Sequence, residues 1–159
     1  MSRRSINSVE QLTMWHEHVC ECDQPTTCIT IFNRCIIKSK TYHSLSYTNR
    51  QSTISYFVQY FNDNQNTLFG SIELFFTYKG SSFALINHHS AKNLFSDVFR
   101  STPYYYILSK FIDVYYYILQ SKSSSFHCVP IQNILNLCIV FENYNFMIVT
   151  PISKCYEHG

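Results

Sequence analysis

From residue 27 onward the apolar residues of this 159-residue chain recur with a period of two, and the residues that carry the alternation are largely aromatic or β-branched. Successive side chains of an extended chain point to opposite faces, so this pattern gives each segment one apolar face and demands a sheet that buries it. Residues 53–60 place Ile54, Tyr56, Val58 and Tyr60 on one parity against Thr53, Ser55 and Gln59, with Phe57 as the exception. Residues 71–78 repeat the pattern with Ile72, Leu74, Phe76 and Tyr78 on one face. The polar stretch 62–66 separates the two segments, and Lys79-Gly80 turns the chain back into residues 82–87, the clearest hairpin in the sequence.

The remaining segments are read in the same way. Residues 27–32 and 35–39 form strands joined by Asn33-Arg34, and residues 42–47 continue extended. Residues 88–100 read as a loop with one helical turn over 94–99, which leaves His88 and His89 solvated at the sheet rim. Over 103–119 a helical stripe through Tyr104, Ile107, Leu108, Phe111, Ile112, Tyr115 and Ile118 competes with a Tyr and Ile density that favours a strand over 112–119; the strand is the reading adopted. Residues 126–129 form a short strand, 130–135 a turn or 3₁₀ winding, and 137–141 pair with 146–150 across 142–145. Ahead of the sheet, Ile6, Val9, Leu12 and Trp15 recur at three-residue steps behind Ser8, which predicts a short amphipathic helix ended by Asp23 and Pro25. The expected fold is mainly β, a small barrel or sandwich with a short N-terminal helix. Residues 1–26 are the helix and linker, and residues 27–159 a single β-rich domain.

Composition narrows the function classes. Aromatic residues make up 17% and charged residues 14%, with three glycines, which excludes a disordered tail, a charge-rich coiled coil and a glycine-rich phosphate loop. The formal charge of +2 is too small to imply nucleic acid by itself. Two arginines near the N-terminus have no apolar run behind them, the run 104–119 is interrupted by Ser109, Lys110 and Asp113, and the seven cysteines are odd in number. These features predict neither a secretory signal nor a membrane span, and free thiols in a reducing, intracellular compartment.

Chemistry-bearing residues cluster in one place, His16-Glu17-His18-Val19-Cys20-Glu21-Cys22, with Cys28 and Cys35 following. Imidazole and thiolate are the usual zinc ligands, and His16, His18, Cys20 and Cys22 share a face if extended, or pair at i and i+4 if helical. The spacing matches no finger, so no cofactor is the expectation and a zinc-stabilised nucleic-acid binder built on the His16 to Cys35 cluster the alternative. Cys128, Cys138 and Cys155 read as small core hydrophobes. His127 and its neighbour Cys128 point to opposite faces of a strand and form no nucleophile pair. Asp63, Glu73, Asp97, Asp113 and Glu142 show no convergence, so no enzymatic site and no small-molecule substrate are expected. Arg34, Lys38 and Lys40 share parity, with Tyr42, Tyr47 and Arg50 near them, and form the candidate face for a protein, chromatin or nucleic-acid partner.

The ordered strings TYHSLSYTNRQSTISYFVQYF, FGSIELFFTYKGSSFALINHH, SFHCVPIQNILNLCIVF and FMIVTPISKCYEHG, spanning roughly residues 28–159, resemble the C-terminal β-rich region of transposase-related proteins of the CACTA (En/Spm) type of invertebrates. The resemblance rests on a Tyr-His-Ser segment, an aromatic strand opening with Gly, a Val-Pro-Ile turn and a closing Pro-Ile-Ser. It implies a small barrel comparable to the BAH or SH3-like modules of chromatin proteins, derived from a mobile-element protein, with the nucleus as the suspected location. The acidic triad of such transposases has no counterpart in this chain, and no catalytic residue carries over.

Overall fold

The computed structural model describes residues 29–47, 56–122 and 125–152. Among the described residues eleven strands and one α-helix follow in chain order: β1 Thr30–Phe32, β2 Arg34–Ile37, β3 Lys40–His43, β4 Phe57–Phe61, β5 Thr67–Tyr78, β6 Ser81–His89, β7 Ala91–Leu94, α1 Tyr105–Ile112, β8 Tyr117–Gln120, β9 Ser125–Pro130, β10 Ile134–Asn143 and β11 Phe146–Pro151. Single 3₁₀ turns cover Phe95–Phe99 and Ile131–Asn133. The protein is mainly β, as its alternation dictates. The expected helix over 5–19 and its linker lie outside the described residues.

Nine strands form one antiparallel sheet in the order β7-β8-β11-β10-β4-β5-β6-β9, with β1 added along the far half of β5. β10 makes this possible by its length: residues 134–137 pair with β4, and residues 138–143 pair with β11. The sheet curls into a half-barrel. Residues of β9 and of the β4 end, three strands apart in the order, line one cavity of about 310 Å³.

Two cores occupy the two faces. Val58, Tyr60, Ile72, Phe75, Ala84, Ile86, Val129, Ile131 and Ile134 fill the curl, which the separate β2-β3 hairpin closes with Cys35, Ile37 and Tyr42. Phe57, Phe69, Leu119, Met147 and Val149 form a second core. A fully buried side chain of this kind contributes about 1.5–3 kcal/mol relative to exposure. The two-sided burial explains Phe57, which broke the alternation of its segment: β4 is a central strand with Phe57 in one core and Val58 and Tyr60 in the other.

Four expectations are corrected. The first hairpin turns at Lys38-Ser39, not at Asn33-Arg34. Both turn residues have positive φ, 50° and 64°, the backbone of a two-residue turn whose twist matches its strands, while β1 leaves to pair with β5. On the first-core face of residues 71–78 the buried residues are Ile72 and Phe75, rather than Ile72, Leu74, Phe76 and Tyr78. Glu73 is an extra residue in a bulge opposite the Leu85–Ile86 step, and the insertion flips the parity beyond it. Residues 88–94 are not a loop, because β6 runs on through His89 and β7 follows after Ser90, while the helical turn expected over 94–99 is present as the 3₁₀ turn Phe95–Phe99. Over 103–119 a helix forms upstream on another face than the expected stripe: Tyr105, Leu108, Ser109 and Ile112 turn inward at i, i+3, i+4 and i+7 while Tyr104, Ile107, Phe111 and Tyr115 are exposed, and the strand expected over 112–119 starts only at Tyr117. Asp113 ends the helix and accepts hydrogen bonds from the Ser96 backbone N–H at 2.9 Å and the Ser96 hydroxyl at 2.6 Å, which ties α1 to the preceding 3₁₀ turn.

Candidate functional site

The basic face expected from Arg34, Lys38, Lys40, Tyr42, Tyr47 and Arg50 does not form as one surface. Opposed residues of an antiparallel pair share a face, and the register sets Arg34 against His43 but Lys40 against Ile37, so Arg34 and Lys40 lie on opposite sides of the hairpin. Lys38 sits in the turn itself. Tyr42 is buried in the core, and burial, with smaller contributions from Cys138 and Cys35, pushes its hydroxyl up to about 12. Tyr47 stacks on His43 with ring centroids 4.4 Å apart, and Arg50 lies outside the described residues. His16, His18, Cys20, Cys22 and Cys28 also lie outside them, while Cys35 is buried in the curl. Among the described residues no three metal-ligating side chains converge. Asp97 pairs with Arg100 at 2.8 Å, and Asp113 is held by Ser96. Cys128, expected in the core, is exposed at the open side of β9, because His127 takes the inward parity.

The structure instead assembles polar groups on both faces of β4-β5-β6. On the curled face the row runs Val58, Gly70, His88 across three strands, with Tyr60 and His127 beside it. The Tyr60 hydroxyl lies 2.9 Å from His127 Nδ1 and 3.3 Å from His88 Nδ1, and His88 Nδ1 is 3.2 Å from the Phe69 carbonyl oxygen. A carbonyl only accepts, so His88 carries its proton on Nδ1 and shares it between Phe69 and Tyr60. Tyr60 then donates to His127 Nδ1, and His127 donates from Nε2 to the Ser125 hydroxyl 3.0 Å away. The two imidazoles stack at 4.8 Å. Burial, then the neighbouring charges of His127 and His89, hold His88 below its ordinary value, and burial drives the Tyr60 hydroxyl above the usual tyrosine range. The hydrogen bonds thus run in one direction from His88 through Tyr60 and His127 to Ser125.

On the opposite face the row Phe57, Ser71, Asn87 is joined by His89 on the same side of β6. These four form much of the floor of a cavity of about 450 Å³, with Met147 from β11 beside them and Leu45, Tyr56, Glu142 and Tyr144 around the opening. His89 is 8% exposed, and its Nδ1 donates to the Gln120 carbonyl at 3.0 Å, which leaves Nε2 as an acceptor. Asn87 Oδ1 is buried without a hydrogen-bond partner. Glu142 has no ion pair among the described residues, and it adds to burial in raising the Tyr56 hydroxyl. His88 and His89 thus belong to ordered sites rather than to a solvated loop. The signal available in the sequence was the absence of any turn residue between Asn87 and Ser90, which lets the alternation of β6 run on.

A third feature is apolar. In β10 and β11, Val140, Met147 and Val149 turn toward the second core, yet the outward parity carries Ile139 and Phe141, 47% and 59% exposed. With Tyr116, Thr150, Pro151 and Ile152 they line a groove of about 370 Å³ that contains no charged side chain. The helix α1 adds Tyr106, Ile107 and Phe111 to the exposed apolar surface and buries none of its eight side chains fully.

Comparison with protein-family models, with curated proteins and with solved structures finds no match. No described helix is long and apolar enough to cross a membrane.

Proposed function

We propose that this chain is a non-catalytic interaction module that docks an apolar segment of a protein partner on the outward face of β10-β11. The observation that carries the reading is the apolar outward parity of that hairpin. An antiparallel sheet with one solvated face alternates apolar inward and polar outward, and Ile139 and Phe141 break the rule in the direction that an interface requires. Protein is favoured over nucleic acid because the groove has no cation to meet a phosphate. Tyr116 at its edge suits a surface that is part apolar and part wet. The finer reading, a module derived from a mobile-element protein and acting on chromatin in the nucleus, is supported by the ordered motifs between residues 28 and 159.

Panning a random-peptide library on the purified protein tests the proposal. The expected result is a set of peptides with clustered apolar residues, whose binding changes little between low and high salt. Preferential binding of DNA with a steep salt slope, and no peptide enriched, would overturn it.

A further inference from the structure

The cavity opposite the curl is a second, chemically different site, and we infer that it binds a protonated primary amine. Its polar groups are biased toward accepting. Glu142 supplies a carboxylate at the opening without an ion pair among the described residues; His89 offers Nε2, since its Nδ1 is committed to Gln120; and Asn87 holds a buried Oδ1 with no partner. No lysine or arginine lines the space. A buried acceptor without a donor costs about 1–3 kcal/mol, so a ligand that brings N–H groups relieves a deficit already present in the free protein.

The apolar part of the lining defines the rest of the ligand. Phe57 and Met147 at the floor, with Tyr56 and Leu45 at the wall, fit a short methylene stem, and aromatic rings near a cation add electrostatic attraction. The three N–H donors of one ammonium match these acceptors in number. A quaternary ammonium would satisfy Glu142 and the rings but leave His89 and Asn87 without donors. The chemistry is that of a lysine side chain or of a free alkylamine.

The probe is n-butylammonium, titrated into isotopically labelled full-length protein and followed by the side-chain amide of Asn87 and the ring signals of Phe57 and His89. Saturable shifts confined to these groups are expected, with n-butanol and tetramethylammonium binding far more weakly. Glu142 is exposed at the opening, so Glu142→Gln should leave the thermal unfolding midpoint unchanged while weakening the amine by about fivefold, the size of one solvent-accessible ion pair. N-acetyl-lysine amide and 1,4-diaminobutane distinguish the two sources: the first binding more tightly points to a protein side chain, the second to a free amine. Shifts that do not saturate, tetramethylammonium binding as tightly as butylammonium, or an unchanged affinity in Glu142→Gln would each overturn the assignment.

Discussion

At the scale of single residues the sheet is least tolerant at Gly70. It lies in the row between Val58 and His88, and a Cβ there would stand 2.5 Å from the Asn87 carbonyl oxygen and 2.5 Å from Ile86 Cγ2. The oxygen belongs to a paired strand and cannot withdraw, so Gly70→Ala is expected to cost at least about 2 kcal/mol, read as a lower urea midpoint at unchanged slope. A midpoint equal to that of the wild type would show that β6 gives way. His88 makes stability depend on pH with a defined sign. Its folded-state value is depressed below 6.5, so between that depressed value and about pH 6.5 the unfolded chain binds the extra proton. Stability from this group is therefore full above pH 6.5 and declines as the pH falls through that window; His43, also lowered by burial and by Arg34, acts in the same direction. Urea midpoints at pH 7.5 and 5.5 check it, and His88→Gln should reduce the difference, leaving the part that His43 contributes. None of this was legible residue by residue, because a histidine at a strand end reads as solvated until the neighbouring strands supply Tyr60 and His127.

At the scale of elements, most strands and the two hairpins β5-β6 and β10-β11 were legible, whereas β7 and the remaining pairings were not. The strands within residues 57–60, 71–78 and 82–87, the turn at Lys79-Gly80, the 3₁₀ winding after Pro130 and the β10-β11 hairpin all follow from local pattern, since side-chain parity and turn residues are local properties. The first hairpin was misplaced because its turn residues, Lys38 and Ser39, are not those that favour positive φ. The candidate basic face failed for the same reason: a turn between Ile37 and Lys40 reverses the relation between parity and face. The Glu73 bulge likewise leaves no mark in composition. The turn yields a direct test. Each non-glycine residue held in the left-handed region costs about 1–2 kcal/mol, so Lys38→Asn with Ser39→Gly should stabilise the protein by about 1 kcal/mol or more, measured by urea unfolding. A loss of stability would mean that the β2-β3 turn is held by contacts of the Lys38 or Ser39 side chains.

At the scale of the whole molecule, the protein is a curled sheet with a core on each face, and with more apolar surface than either core consumes. Aromatic content was legible as a choice between core and partner surface, and the structure buries part of it and exposes the rest. Tyr42, Tyr60, Phe57, Phe69 and Phe75 are buried, whereas Tyr106, Phe111, Phe126, Phe141 and Tyr144 are exposed. A sequence cannot make that division, because burial depends on which strand covers which face. The near-neutral charge leaves the exposed part without long-range attraction to polyanions, which agrees with a protein partner held by apolar contact. Calorimetric titration of a selected apolar peptide into the wild type and into the Ile139→Ser, Phe141→Ser double variant is the most direct test of that claim. Both side chains point outward, so the variant should unfold at the wild-type temperature and lose binding by about a hundredfold, the effect of removing two anchor side chains at about 1–2 kcal/mol each. Equal affinity for the two proteins would contradict the account and move the partner surface away from β10-β11.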